Sequence, residues 1–323
     1  MLATLMTLAT AGAALAGPTT DGVTVAARTD AFIRDVAGDV GLEPHALDPI
    51  WASPDIKVCP TAVECATSQN PIVGVTNWVF VKVNVAGPYG SGPSTGFVEL
   101  YRTTPGGGST WSSEWTHIGN SIVTTAYPGV TTVTIEWNGV PGPGHFCLQA
   151  RWISSTDPMT SIGPNHSENT RNNNNIAWRN VDSVNPLPGS PQVRPFAIGN
   201  ETETVTRNDL VIAQRGEPFQ NIGGKIIVDL GPVLFPRWVQ AGRPGTGIRE
   251  AGRNQVEVVA ANAKIIDLVL NPGERPEFSL IFSTTTVSSK LFTIDVVQFG
   301  QARAGAPKTD AGGVQYLVRP TRQ

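Results

Sequence analysis

Hydrophobic and polar residues alternate in short runs along most of the chain, and turn-forming residues separate the runs. In GHFCLQARWI, the residues Phe146, Leu148, Ala150 and Trp152 occupy every second position after a Pro-Gly-Pro-Gly turn. A period of two is typical of a β-strand that buries one face. Because no helical periodicity lies between such runs, the pattern favours an antiparallel all-β architecture over a parallel α/β sheet.

The runs fall into two groups and predict two domains. In residues 51–186 the candidate strands are 55–58, 78–85, 97–102, 116–122, 131–137, 146–153 and 176–184. In residues 195–320 they are 196–200, 210–214, 225–230, 254–260, 265–270, 276–282, 291–298 and 314–318. The Pro-rich stretch 187–194 indicates a short, stiff linker. We therefore predict two immunoglobulin-like antiparallel β-sandwich domains in tandem.

Two segments precede the first predicted domain. Residues 1–17 carry no charge and end in Ala-Leu-Ala-Gly, which is typical of a secretory signal peptide. Their lack of basic residues keeps a retained anchor or a buried assembly helix as the alternative. Residues 18–50 form a connector, in which 24–36 predict a short amphipathic helix. We expect an extracytoplasmic location, in the periplasm, at the cell surface or secreted.

Several motifs of the first domain, taken in order, carry a resemblance. They are SPDIKV, QNPIVGVTNWVFVKVNV, ELYRTTPGGGSTWSSEWTHIG, PGPGHFCLQARW and NNNNIAWRNV. Together they resemble a bacterial extracytoplasmic immunoglobulin-like module of the CARDB type, the cell-adhesion-related domain. The resemblance implies a seven-stranded β-sandwich in an envelope or secreted setting, and the family supplies no catalytic residues. In the second domain, LVLNPGERPEFSLIF resembles strand–turn–strand units of other bacterial immunoglobulin-like or fibronectin-type modules.

Composition and charge narrow the function classes. The chain has 15% charged residues, 34 Gly, 26 Pro and a net charge of -3. Lys and Arg form no cluster, so nucleic acid is not an expected partner. The four His residues lie in no catalytic motif, and the sequence contains no nucleophile elbow or phosphate-binding loop. We therefore predict a protein that is not an enzyme and that uses no cofactor.

Oxygen-bearing side chains near the Asn run are candidate calcium ligands. They are Asp157, Glu168, Asp182 and the asparagines at 172–175. The run lacks the alternating acidic spacing of a calcium loop, and Asn is a common turn residue. We favour a turn and predict no metal site.

The three cysteines leave two disulfide arrangements open. Cys59 and Cys65 flank a turn that begins at Pro60, so their short separation favours a local bond in an oxidising compartment. Cys147 would then be a buried thiol in the strand 146–153. The alternative joins Cys147 to one of the other two cysteines across the sheets.

Two sets of residues are candidates for contact with a ligand or partner. Trp111 and Trp115 flank a loop and are suited to a sugar or a protein, although packing is the favoured interpretation. The segment 235–253 is polar, Gly-rich and long for a sandwich loop, which makes it a candidate partner loop. Its candidate residues are Arg237, Trp238, Arg243 and Arg249.

Three functions fit these features. We favour a non-catalytic structural or protein-interaction subunit of the bacterial cell envelope or of another extracytoplasmic assembly. Its partners would be other proteins or further copies of itself, joined through sheet edges or the apolar N-terminal segment. The alternatives are a carbohydrate- or surface-binding adhesion module and a secreted hydrolase. Contact with a membrane is expected only through residues 1–17, if they are not cleaved.

Overall fold

We describe the protein from a computed structural model, which covers residues 30–85 and 92–320, so the predicted apolar segment 1–17 lies outside the described residues. The first group of strands is β1 (Ile56–Cys59), β2 (Asn77–Val85), β3 (Thr95–Thr103), β4 (Thr116–Thr124), β5 (Gly129–Trp137), β6 (Cys147–Ile153) and β7 (Ile176–Arg179). The second group is β8 (Val181–Val184), β9 (Gln192–Ala197), β10 (Thr206–Arg215), β11 (Gly224–Asp229), β12 (Gly245–Thr246), β13 (Ile248–Gly252), β14 (Gln255–Val258), β15 (Asn262–Leu270), β16 (Glu277–Thr284), β17 (Phe292–Gln301) and β18 (Lys308–Val318). The helices are α1 (His166–Asn172), α2 (Gly231–Gln240) and a 3-10 turn (Phe219–Ile222).

The first sandwich packs the three-stranded sheet β1-β2-β5 against the four-stranded sheet β4-β3-β6-β7. All neighbouring strands in it are antiparallel. Seven strands in this order form an immunoglobulin-like sandwich whose fourth strand pairs with the third. Alternate residues of the two sheets meet in its core, where Val79, Leu100 and Trp152 are fully buried.

The second sandwich packs the six-stranded sheet β12-β15-β10-β17-β18-β8 against the five-stranded sheet β13-β14-β11-β16-β9. Its core includes Leu210, Ile226, Phe282 and Tyr316, all fully buried. Each of these residues lies on a strand whose inward positions alternate with more exposed ones. The predicted fold class, two immunoglobulin-like antiparallel β-sandwiches in tandem, is confirmed.

The segment predicted as one strand, 176–184, is divided at Asn180 between the two sandwiches. β7 pairs with β6 in the first sandwich, whereas β8 runs parallel to β18 in the second. The backbone N–H of Asn180 donates to Trp51 (2.8 Å), and its carbonyl accepts from Gln315 (2.9 Å). The chain therefore passes between the sandwiches as a continuous hydrogen-bonded element, and the division at 187–194 stays a prediction.

A glycine turn after β3 joins the two sandwiches directly. Gly107 N donates to the carbonyl of Ala197 (3.0 Å), and Gly108 N donates to that of Ala311 (2.7 Å). A Cβ on Gly106 would overlap the carbonyl oxygen of Ala197. The backbones touch here without intervening side chains, an approach that glycine alone permits.

Residues 30–47, the N-terminal strap, run across the first sandwich without forming a helix. Phe32 exchanges backbone hydrogen bonds with Asn84 of β2 (2.9 and 2.8 Å). The guanidinium of Arg34 forms a bidentate ion pair with the carboxylate of Asp55, with its shortest contact at 2.6 Å. The helix predicted over 24–36 is therefore wrong in its described part, because pairing with β2 satisfies these backbone groups instead. None of the described helices is long and apolar enough to cross a bilayer.

Candidate interaction surface

Cys59 and Cys65 form a disulfide bond, with their Cα atoms 5.6 Å apart. The segment that follows Cys65 lies beside β1, where Gln69 N donates to the carbonyl of Val58 (3.0 Å). Cys147 is a free thiol in the core, and burial raises its pKa well above the usual range. The structure thus holds the local bond and leaves Cys147 unpaired and shielded from solvent.

Trp111 and Trp115 lie together, with ring centroids 6.4 Å apart. The guanidinium of Arg151 covers Trp111, 4.1 Å from its ring centroid. Trp115 is 8% exposed and packs on the ring of His166, 4.5 Å away. A sugar platform needs an open aromatic face, and these contacts supply packing partners instead.

His166, the first residue of α1, lies between two indoles. Its ring centroid is 4.5 Å from that of Trp115 and 4.2 Å from that of Trp178. Burial lowers the pKa of His166 to about 3, so the imidazole is neutral at physiological pH. Neither ring nitrogen has a hydrogen-bond partner among the described residues. This environment suits a core residue and offers no carboxylate to orient the imidazole for catalysis.

The segment predicted as a partner loop, 235–253, is instead the end of α2 followed by strands β12 and β13. Trp238 is 2% exposed and belongs to the core of the second sandwich. Its indole N–H donates to the carbonyl of Pro244 (2.9 Å). The expectation of an open loop is wrong because Leu234 and Trp238, one helical turn apart, pack together into the core.

The three arginines predicted in that segment all have acidic partners. The guanidinium of Arg237 makes two hydrogen bonds to the carboxylate of Glu274 (2.7 and 2.9 Å). These bonds lower the pKa of Glu274. Arg243 pairs with Glu250 (2.9 Å), and Arg249 pairs with Glu257 (2.8 Å). Such surface pairs contribute little to stability, and they reduce the charge that these arginines offer to a partner.

An exposed apolar row crosses the outer face of the four-stranded sheet. Ile122 of β4 and Ile153 of β6 both lie directly opposite Phe97 of β3. Ile122 is 65% exposed and Phe97 is 45% exposed. Isolated apolar residues are common on surfaces, but a contiguous row across three strands is typical of a contact surface.

Charged and aromatic side chains continue this face along the strands. The next row pairs Glu99 with Arg151, and the hydroxyl of Tyr101 donates to Glu99 (2.8 Å). Burial and this hydrogen bond raise the pKa of Tyr101 to about 12. The ring of Tyr101 contacts Trp111 (5.0 Å) and His117 (5.1 Å). Phe, Tyr, Trp and Arg are the residue types that protein interfaces favour.

Strand β4 is a free edge beside this face. It pairs with β3, and none of the described residues makes a backbone hydrogen bond to its outer side. Its sequence, THIGNSIVT, contains no Lys, Arg, Asp, Glu or Pro, the residues that commonly protect an edge. A bulge at Ile118, opposite Leu100 and Tyr101, leaves residues 119–124 as the regular part of the edge.

Two other edges of the first sandwich, β1 and β7, are covered by the chain itself. The segment after the disulfide lies along β1, through the bond from Gln69 N to the carbonyl of Val58. Ser53 N donates to the carbonyl of Trp178 (3.0 Å) and covers β7 in the same way. Unlike these two edges, β4 receives no backbone hydrogen bond from the described residues on its outer side, and it lies beside the apolar row.

One group of three metal-ligand types within 4.8 Å of one another occurs in the described part of the chain: Asp35, Asp39 and His45. Leu47 N donates to Nδ1 of His45 (3.3 Å), which leaves the proton on Nε2, and Nε2 donates to Oδ2 of Asp35 (2.9 Å). The oxygens of Asp39 accept the backbone N–H groups of Asp35 and Gly41. The nitrogen that a metal would need already donates, so this cluster acts as a hydrogen-bonded lock of the strap.

Sequence reasoning did not find this lock. The residues lie in a connector without a periodic pattern, and only the folded strap brings them together. Burial raises the pKa of Asp35 to about 7, and the hydrogen bond from His45 opposes that shift. The same hydrogen bond raises the pKa of His45. The pair therefore binds a proton more strongly in the folded chain than in the unfolded one.

No family model matches the chain, and no curated protein matches it either. The CupB6 tip adhesin from Pseudomonas aeruginosa aligns with 83% of this chain and 98% of its own length, at 8% identity and a TM-score of 0.25. The collagen adhesin from S. aureus aligns with 82% of this chain and 91% of its own, at 11% identity and a TM-score of 0.23. A transglutaminase of red sea bream aligns with 82% of this chain, at 11% identity and a TM-score of 0.22, and the chain spans 31% of its length. Such TM-scores carry no argument about function, and the CARDB type stays a prediction.

Proposed function

We propose that the chain is a non-catalytic protein-interaction module that works outside the cytoplasm. The observation that carries this proposal is the uncharged edge of β4 beside the row Ile122, Phe97 and Ile153. The occupant is an extended segment of another protein chain, with apolar residues at alternate positions. The segment comes either from a second copy of this chain or from a different protein of the same assembly.

Strand addition explains how the edge and the row act together. The N–H and C=O groups on the outer side of residues 119–124 pair with an incoming strand, which supplies affinity without regard to sequence. Alternate side chains of that strand lie beside Ile122 and extend the apolar row, and they supply specificity by burying apolar surface. Lys or Pro in this strand would prevent such pairing, and β4 has neither.

The disulfide supports the proposed location. A bond between Cys59 and Cys65 persists in oxidising compartments and is rare in the cytosol. An adhesive role and a scaffold role both follow from this surface, and we include both in the proposal. We do not propose carbohydrate binding at Trp111 and Trp115, because Trp115 is buried and Arg151 covers the ring of Trp111.

Site-specific photo-crosslinking tests the proposal. A photoreactive amino acid replaces Ile122 in the full chain, which is expressed in its native cells and irradiated. The matched control replaces Val287, which is 49% exposed on the second sandwich. We expect a discrete adduct from position 122 and none from position 287, and mass spectrometry of the adduct distinguishes a second copy from a different protein.

The variant Asn120→Lys makes this test specific for strand addition. Asn120 is an exposed residue of the regular part of β4, so the added charge protects the edge without entering the core. We expect the adduct at position 122 to disappear in this variant. Absence of any discrete adduct from position 122, or an adduct that survives Asn120→Lys, would contradict the proposed mode of binding.

A further inference from the structure

A cavity of about 290 Å³ lies between the two sandwiches. Glu168 and Arg171 of α1 line it from the first sandwich, and Glu201 and Asp310 line it from the second. Pockets of this size suit a small molecule, whereas a bare metal ion with ligands at 2.0–2.6 Å would leave most of the space empty. The cavity therefore fits a small organic ligand that contacts both sandwiches.

Acidic groups outnumber the free positive charge in the cavity. Arg171 is already paired with Asp48 (2.6 Å) and also donates to the carbonyl of Leu47 (3.1 Å). None of the three acidic groups that line the cavity, Glu168, Glu201 and Asp310, forms an ion pair among the described residues, although Asp310 accepts the backbone N–H of Gly312 (2.7 Å). When these carboxyls are ionised, the electrostatic complement of the lining is a cation.

Two buried oxygen atoms of the lining lack hydrogen-bond partners among the described residues. One is the hydroxyl of Ser167, a residue that is 6% exposed, and the other is Oε1 of Glu201. By contrast, Gln298 and Asn208 of the lining are bonded to each other (2.9 Å). Buried polar groups are almost always paired, so an unpaired hydroxyl and an unpaired carboxyl oxygen in one cavity point to donors supplied by a ligand.

The protonation states of Glu201 and Asp310 depend on whether a ligand occupies the cavity. Burial raises the pKa of Glu201 well above its usual range, whereas a hydrogen bond from the backbone N–H of His166 and the charge of Arg275 oppose this shift. Burial also raises the pKa of Asp310 to about 6, and Arg171 opposes that shift. A bound cation favours the ionised carboxyl, so its entry releases protons.

We propose that the cavity between the sandwiches binds a small organic cation with a primary ammonium or guanidinium group, which donates hydrogen bonds to Glu201, Ser167 and Asp310. The ligand enters through a neighbouring groove that shares Asn165, Glu168 and Thr202 with the cavity. Because the ligand contacts both sandwiches, its binding also stabilises the joint between them.

Calorimetric titration of the full chain tests the proposal. The probes are putrescine and methylguanidinium, which separate the ammonium and guanidinium arms, and the comparators are tetramethylammonium and calcium chloride. We expect one of the first two to bind at one site per chain and to release protons, measured from the heats in two buffers of different ionisation enthalpy. Tetramethylammonium has the charge without N–H donors and should not bind.

Variants assign the binding to this cavity. Glu201→Gln keeps the shape of the side chain, and we expect it to weaken binding at least tenfold and to reduce proton release. Ser167→Ala should weaken binding several-fold. The matched control is Glu136→Gln, at an exposed residue of β5 outside the cavity, and it should leave binding unchanged. Circular dichroism confirms that each variant is folded, and Asp310→Asn replaces Glu201→Gln if the latter is not.

Three results would overturn the proposal. The first is no binding of either probe at 10 mM. The second is binding of calcium in preference to both probes. The third is a folded Glu201→Gln or Asp310→Asn variant that binds the preferred probe with unchanged affinity.

Discussion

At the scale of single residues, buried polar groups hold the N-terminal strap against the first sandwich. Arg34 forks onto Asp55, and Asn174 donates through Nδ2 to Asp30 (2.7 Å) and to the carbonyl of Gly41 (2.8 Å). A polar group is buried without large cost when its hydrogen bonds are satisfied. The Asn run that we interpreted as a turn thus also provides the surface on which the strap lies.

The pair Asp35–His45 makes the strap sensitive to pH. The pKa values of both groups are higher in the folded chain than in the unfolded chain, with Asp35 at about 7. The folded state therefore binds more protons, and its stabilisation is present at acidic pH and is lost as the pH rises through about 7. We predict that hydrogen exchange of residues 30–47 accelerates between pH 6 and 8 beyond the intrinsic effect of pH.

Asp35→Asn provides the control for this prediction. It keeps an acceptor for Nε2 of His45 but removes the titrating carboxyl. We expect residues 30–47 of this variant to exchange with little residual dependence on pH, while β10 behaves alike in both proteins. Equal pH dependence in the wild type and the variant would show that Asp35 does not control the strap.

Sequence reasoning found the residues whose partners lie nearby in the chain and missed the others. The bond between Cys59 and Cys65 follows from a separation of six positions. The contact between Asp35 and His45 depends on the conformation of the strap, which no periodic pattern in the sequence predicts. The same holds for Glu201, which no sequence pattern singles out and which lines the cavity between the two sandwiches.

At the scale of elements, alternation predicted the strands because each sandwich buries one face of each sheet. The helices were missed for different reasons. α2 contains Pro236, a residue type that disfavours a helix interior, and yet its apolar face is packed in the core. α1 has seven residues, too few for a periodic signal, although the spacing of Asn165 and Glu168 is that of a helix start.

The start of α1 yields a prediction about its cap. The side chain of Asn165 accepts the backbone N–H of Glu168 (2.8 Å) and so satisfies one free donor of the helix. We predict that Asn165→Ala lowers the free energy of unfolding by about 1 kcal/mol, as measured by urea denaturation. Asn165→Asp retains an accepting oxygen and should stay within about 0.5 kcal/mol of the wild type. Equal losses in the two variants would show that the cap does not stabilise the helix.

At the scale of the whole molecule, the two sandwiches share a joint that is built from backbone. Arg275 of the second sandwich donates to the carbonyls of Thr104 (2.9 Å) and Gly107 (3.3 Å), next to the glycine turn. Burial lowers the pKa of Arg275, and Glu114 opposes that shift. The sequence alone does not predict this contact, because the partners of a glycine backbone leave no pattern in the sequence.

The joint predicts that the two sandwiches unfold together. β8 directly follows the last strand of the first sandwich along the chain, but it pairs with β18 in a sheet of the second sandwich. Separating the two sandwiches therefore breaks this pairing as well as the glycine contacts. A Cβ on Gly107 would lie 2.8 Å from the carbonyl oxygen of Gly312 and 2.9 Å from Cβ of Gln298. Overpacking of this kind costs about 1–3 kcal/mol.

We therefore expect one calorimetric transition for the wild type and, for Gly107→Ala, either a transition at lower temperature or two separate ones. The matched control is Gly38→Ala, where an added Cβ meets nothing within 4 Å, and it should leave the transition unchanged. A wild-type chain that unfolds in two independent steps would show that the joint is too weak to couple the sandwiches. Backbone that is held in place by hydrogen bonds on both sides has no room for a side chain at position 107. A Gly107→Ala variant as stable as Gly38→Ala would therefore show that the joint moves to accommodate one.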